Sequence, residues 1–195
     1  MKKNTAIFLD RDGTINEEVG YLGQPDRLRI IPAAFEAVRL INKSGMKAIV
    51  ISNQSGVARG FFTEENVREI NKKIEVLLGE QGAFIDRFYF CPHHPTEGEE
   101  PYKKICSCRK PQPGMLYQAA DELDIDLTRS YMIGDNYPDI EAAHRAGAKG
   151  VLVLTGYGRH SSGGKDHETE TQDNRPDHIA SDILEAVRWI MKDRR

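Results

Sequence analysis

This 195-residue chain has no long hydrophobic run: stretches such as Val151–Leu154 are only four residues, against the roughly 20 that a spanning helix requires. Mean hydropathy is −0.55, which excludes an integral helical membrane protein. No excess of positive charge is present either. Lys and Arg number 27 against 30 Asp and Glu, a net charge of −3, so no broad basic field exists to hold nucleic acid or a membrane surface. Cysteine is scarce: three residues cannot all pair, and a chain of this length buries roughly 70% of its unfolded surface without help from disulfides. Lys2 and Lys3 are followed by Asp10 before any apolar stretch forms. No export signal is expected, and the thiols are expected to sit in a reducing cytoplasm. A phosphate-binding loop of the G-x-x-x-x-G-K-[ST] type is also missing, since Gly164-Lys165 is followed by Asp166.

What is there is an alternation of short β-branched runs with helical patterns. Thr5–Leu9, Lys47–Ile51, Ile85–Phe90, Tyr131–Ile133 and Gly150–Leu154 read as strands, with a short sixth at His178–Ala180. Pro32 and Gly45 bracket a helix with Phe35, Val38 and Ile41 on one face. Thr63 caps a helix carrying Val67, Ile70, Ile74 and Leu77. Pro113 opens a third with Leu116, Ala120 and Leu123, and Pro138 a short fourth. Ser181 is expected to cap the last, with Leu184, Val187 and Met191 inward and Trp189 packing. Such alternation predicts an α/β fold, a Rossmann-like doubly wound parallel sheet covering 1–195 as one domain. Ligands of such sheets bind at the carboxyl ends of the strands. Two stretches break the pattern. Pro92–Lys110 has no period and holds two cysteines; Thr155–Asp177 is expected to be flexible in its middle, where little could be buried.

The first strand ends in Asp10-Arg11-Asp12-Gly13-Thr14. Two carboxylates at i and i+2 can face one ligand, and their repulsion favours a bound cation with oxygen ligands. Alone, the motif would equally suit a solvated turn or a calcium loop. It has company, however. Ser52-Asn53-Gln54-Ser55-Gly56 follows the second strand, Gly134-Asp135-Asn136 the fourth, with Asp139 in the next helical turn, and Arg109-Lys110 precedes the intervening helix. In this order the motifs resemble those of the haloacid dehalogenase-like phosphohydrolases, from about Ala6 to Leu154. The resemblance implies Asp10 as nucleophile, Asp12 as acid and base, and Lys110 as the neutralising cation. It also implies Mg²⁺ held by Asp10, the Asp12 carbonyl and Asp135. Ser52 and Asn53 would hold phosphoryl oxygens. Asp139 is open between an outer-shell metal role and a helix-dipole partner.

Cys91-x-His93 and Cys106-x-Cys108 offer three thiolates and an imidazole, the donor set of a closed, structural zinc site. A buried free Cys91 and a Cys106–Cys108 disulfide are the alternatives, and His94 is a rival ligand, a spare, or substrate-facing. Zinc would order the loop and position Arg109 and Lys110. His144 reads as exposed, and His160 and His167 as non-ligands. Arg11, Ser52–Gly60, Cys91–Pro95 and Cys106–Met115 are similar to the family's heptose-bisphosphate phosphatase branch. That branch implies substrate contacts from Glu18, Val19, Gly20, Tyr21, Ser52, Asn53, Gln54, Ser55, Arg109, Lys110 and Asn136. Arg109 is the candidate for a second phosphate. About 40 residues separate Asp12 from Ser52, too few for a cap domain, and a monomer is expected. Asn136 stands where relatives often carry Lys, and the Thr155–Asp177 stretch is expanded. Histidinol-phosphate phosphatases share these motifs and are the nearest rival. A non-catalytic zinc-stabilised binding protein is disfavoured by the presence of both Asp10 and Asp12.

Overall fold

A computed structural model describes residues 3–161 and 175–194. Six strands, β1 (Ala6–Leu9), β2 (Lys47–Asn53), β3 (Arg87–Cys91), β4 (Tyr131–Gly134), β5 (Lys149–Val153) and β6 (His178–Ala180), form one sheet in the order β3-β2-β1-β4-β5-β6. Every pairing is parallel. The helices are α1 (Pro32–Lys43), α2 (Glu64–Gly79), α3 (Gly114–Leu123), α4 (Tyr137–Arg145), α5 (Gly158–Ser161) and α6 (Ile183–Asp193).

The period of two along β1 divides its side chains between two cores. Ile7 and Leu9 pack with Ile41 of α1, Ile70 and Ile74 of α2 and Ile190 of α6. Ala6 and Phe8 face the other way, onto Met115 and Leu116 of α3 and Ala142 and Ala143 of α4. With both faces covered, the strands read as continuous apolar runs rather than alternating ones. Strand order reverses between β1 and β4, and the crevice above that pair is where a doubly wound sheet takes its ligand.

Some boundaries differ from expectation. The last helix is capped by Asp182, whose Oδ1 accepts from the amides of Leu184 and Glu185 at 2.8 and 3.0 Å, not by Ser181. Its fully buried stripe is Ile183, Ala186, Val187 and Ile190, while Leu184 and Met191 only flank the core. Residues keep their spacing of about 100° wherever a helix starts. The inward stripe is therefore set by how α6 lies against α1 and the sheet, and it falls one position earlier than expected. β2 runs through Asn53 and β3 begins at Arg87 rather than Ile85. α4 starts at Tyr137, with Asn136 as its cap and Pro138 in its first turn. The stretch expected to be flexible lies largely outside the described residues, as does His167.

Candidate active site

Asp10 follows β1 and Asp135 follows β4, so adjacent parallel strands set the two carboxylates side by side. Asp139 joins them from the first turn of α4. Oxygens of Asp10, Asp135 and Asp139 lie within 4.8 Å of one another. Lys110 reaches into this cluster, its Nζ 2.7 Å from Asp10 Oδ1 and 2.6 Å from Asp139 Oδ1, and it also donates to the carbonyl of Ile51 at 2.9 Å. Burial disfavours its charge, but the two carboxylates outweigh that and raise its pKa. One ammonium does not neutralise three carboxylates. Burial pushes Asp10 up to about 7 against the pull of Lys110, and burial with the neighbouring Asp10 and Asp139 pushes Asp135 up to about 8. Hard oxygen donors short of positive charge fit a divalent cation such as Mg²⁺.

Room for Asp135 comes from two glycines. Gly13 (φ +81°) and Gly156 (φ +50°) both press against it, and a Cβ on either would collide with its carboxylate. The Tyr157 amide donates to Asp135 Oδ2 at 2.8 Å, and Thr155 Oγ1 to the Gly13 carbonyl at 2.5 Å. The segment after β5 is thus a wall of the site.

Asp12 is held apart from the acidic cluster. Its carboxylate accepts from Arg11 Nε and Nη2 at 3.1 and 2.9 Å, from Asn16 Nδ2 at 2.9 Å and from Gln54 Nε2 at 2.9 Å. Burial would raise its pKa, but the Arg11 guanidinium and these hydrogen bonds prevail and hold it below the usual carboxylate value. Asp139 also accepts from the Asn136 amide at 3.2 Å. It therefore caps α4 and braces Lys110 together.

A cleft of about 380 Å³ opens over these groups. It is lined by Asp10, Asp12, Glu18, Gly20, Tyr21, Asn53, Gln54, Ser55, Arg109, Lys110, Asp135, Asn136 and Asp139, all expected from the sequence. Val19 instead packs partly buried on the core. Ser52 is 1% exposed and within β2, its Oγ accepting from Gln54 Nε2 at 3.3 Å. It lies beneath the cleft wall, because the strand runs two residues further than the sequence suggested. Asn53 spends both amide atoms on Lys110: Nδ2 donates to the Lys110 carbonyl at 2.9 Å, and Oδ1 accepts the Lys110 amide at 3.0 Å. Tyr157, Phe62 and Pro138 also line the cleft. Of these Tyr157 had a signal, since it follows the carboxyl end of β5.

Beside the cleft, the sulfurs of Cys91, Cys106 and Cys108 lie 3.1 to 3.5 Å apart, with His93 Nδ1 at 3.6 Å from Cys91 and 3.4 Å from Cys108. The thiols are free, and four converging soft and borderline donors fit Zn²⁺. His94 is engaged elsewhere: Nδ1 accepts from the amides of Thr96 and Glu97, and Nε2 meets Arg59 at 3.3 Å. The Arg109 guanidinium donates to the His93 carbonyl at 3.2 Å, tying that cation to the loop. His144 pairs with Asp177 at 2.9 Å.

Residues 107–186 match a family model described as HAD-hydrolase-like. A D-glycero-beta-D-manno-heptose-1,7-bisphosphate 7-phosphatase of Photorhabdus laumondii is 43% identical over 96% of this chain and 97% of its own length. The protein of that name from Escherichia coli K12 is 45% identical over 80% and 82%. A solved D,D-heptose 1,7-bisphosphate phosphatase from B. bronchiseptica, complexed with magnesium and phosphate, superposes with a TM-score of 0.82 at 29% identity, covering 97% and 99% of the two chains. Likeness at this level over nearly the whole length settles the family: the chain belongs to the haloacid dehalogenase-like hydrolases, in their heptose-bisphosphate phosphatase branch.

Proposed function

We propose that the chain removes the 7-phosphate of D-glycero-β-D-manno-heptose 1,7-bisphosphate through a phosphorylated Asp10, a step toward ADP-heptose and lipopolysaccharide. The observation that carries this is the Lys110-paired carboxylate of Asp10 at the floor of an open cleft. Attack on phosphorus needs an anionic nucleophile held in line and relief of charge on the transferring group. Asp10 Oδ forms the new P–O bond as the bond to the sugar oxygen breaks, and Asp12 gives that oxygen a proton. Arg11 disfavours that proton before substrate binds, and it is taken up from solvent once the phosphate dianion lies beside Asp12. Asp12 then takes a proton from water, whose oxygen attacks the phosphorus, releasing phosphate and restoring Asp10. Lys110 offsets the charge of the nucleophile and of the phosphoryl oxygens, and Asp139 holds Lys110 in place.

Asp10 and Asp135, with the Asp12 carbonyl, are the residues to hold Mg²⁺, which supplies Lewis-acid relief of charge on the phosphoryl group. Asp139 stands close enough to belong to that shell. Cys91, His93, Cys106 and Cys108 are the residues to hold a structural Zn²⁺ that fixes the loop carrying Arg109 and Lys110. Arg109 suits the second phosphate, because a guanidinium fork matches its oxygens. Glu18, Gly20, Tyr21, Gln54, Ser55 and Asn136 face the same cleft and suit the sugar. The β anomer follows the names of the relatives. A monomeric protein of the cytoplasm belongs to the same reading.

Phosphate release from heptose 1,7-bisphosphate and from histidinol phosphate, measured side by side, tests the proposal. The heptose substrate is expected to give the higher kcat/KM by at least about 100-fold. A preference for histidinol phosphate would overturn the assignment.

A further inference from the structure

Among the described residues Arg11 is the largest fully buried side chain, with none of its surface exposed, although it directly follows the nucleophile. Its guanidinium faces Asp12 with Nε and Nη2, the latter 3.2 and 2.9 Å from the two carboxylate oxygens. Its other nitrogen, Nη1, donates to Asn71 Oδ1 at 3.3 Å. Asn71 belongs to α2 and is itself buried. The Arg11 carbonyl accepts the amides of Ile15 and Asn16 at 2.9 and 3.1 Å, so main chain and side chain are both fixed. Arginine cannot shed its proton, and burying it is costly where an apolar residue would pack as well. A planar fork does what an apolar residue and a lone ammonium cannot: it sets the rotation of the carboxylate it faces.

We infer that Arg11, braced by Asn71, is a positioning residue that aims Asp12 at the leaving oxygen. This rests on Asp12 being the proton donor, as proposed above. Asn16 and Gln54 hold the same carboxylate from its other sides, but only the arginine ties it to a helix of the scaffold. Arg11 itself does not line the cleft, so it acts through Asp12 and not on the substrate.

Leaving-group dependence separates aiming from mere support. The heptose alkoxide needs a proton to depart, whereas 4-nitrophenyl phosphate releases a phenolate that leaves without one. The parameter kcat/KM reports steps only up to formation of the phosphorylated enzyme, so later hydrolysis does not enter the comparison. Arg11→Lys keeps the charge but loses the fork. It is expected to lower kcat/KM for heptose 1,7-bisphosphate about tenfold or more while changing that for 4-nitrophenyl phosphate less than about threefold. An equal fall on both substrates, or none on either, overturns the inference. Asp12→Asn serves as the reference. If it fails to change the ratio of the two substrates, the acid role of Asp12 falls and this inference with it. If Asp12→Asn changes the ratio and Arg11→Lys does not, only the positioning role falls. Should Arg11→Lys not fold, Asn71→Ala, which unbraces the fork and leaves the ion pair, is read by the same ratio, with about a threefold fall expected and an unchanged ratio counting against the inference.

Discussion

The side chain of Asn53 and the backbone of Lys110 grip each other, amide to amide, at 2.9 and 3.0 Å across 57 positions of sequence. One end of β2 thereby fixes the residue whose ammonium lies on Asp10. Asn53→Ala should cost about 1–2 kcal/mol of stability, since two hydrogen bonds of about 1 kcal/mol each are lost. It should also lower kcat about tenfold while leaving KM within about threefold, because Lys110 drifts while the cleft wall stays. Thermal unfolding and steady-state kinetics on one preparation check both halves, and a change confined to KM would speak for direct substrate contact instead.

Asp10→Asn should abolish turnover, since a carboxamide is a poor nucleophile. The same change removes one of the crowded buried carboxylates, so the metal-free variant should melt at or above the temperature of the metal-free wild type. Calorimetry beside an activity assay would show the two effects together. Near-native activity would dismiss the covalent route.

Magnesium binding should weaken on acidification. Asp10 and Asp135 hold protons up to about 7 and about 8, and a protonated carboxyl is no ligand, so the metal must displace those protons to bind. Affinity should therefore rise between about pH 6 and about pH 8.5 and level off above, as both groups become ionised without help. Isothermal titration at several pH values gives the slope and the number of protons released. A flat profile would place the metal elsewhere.

Zinc should behave as a structural ion. Metal analysis should find about one tightly held equivalent, as four protein ligands imply. Cys106→Ser should lower zinc content and Tm, and reduce activity through the displaced Arg109 and Lys110. His94→Ala should leave zinc content unchanged, because His94 bonds to Thr96, Glu97 and Arg59 rather than to the thiols. Zinc-free protein with full activity would leave the loop without this role.

The sheet and its strand-end motifs were legible because each is local: a β-branched run, a glycine, a carboxylate pair. Legible too was the cysteine–histidine donor set, whose members lie within 18 residues of one another. What escaped depended on where an element stops. Ser52 reads as a ligand until β2 is seen to continue through Asn53, which puts the hydroxyl under the wall. Asn53 reads as a phosphate contact, and its grip on the Lys110 backbone has no local sign. The sequence marks Arg11 only as part of a motif, and its burial against Asn71 of α2 has no local sign. Tyr157 falls in a stretch that composition marks as loop, and its amide bond to Asp135 has no local sign.

The central pairing of β1 with β4 also sets an order in time. Asp10 leaves the ribosome about 100 residues ahead of Lys110 and about 125 ahead of Asp135, and contacts at such separations form late and together. A nascent chain therefore carries Asp10 for about 100 residues of synthesis with neither Lys110 nor the neighbouring strand β4. On the proposed mechanism, the acidic cluster and its cation are complete only once the chain has been made through Asp139.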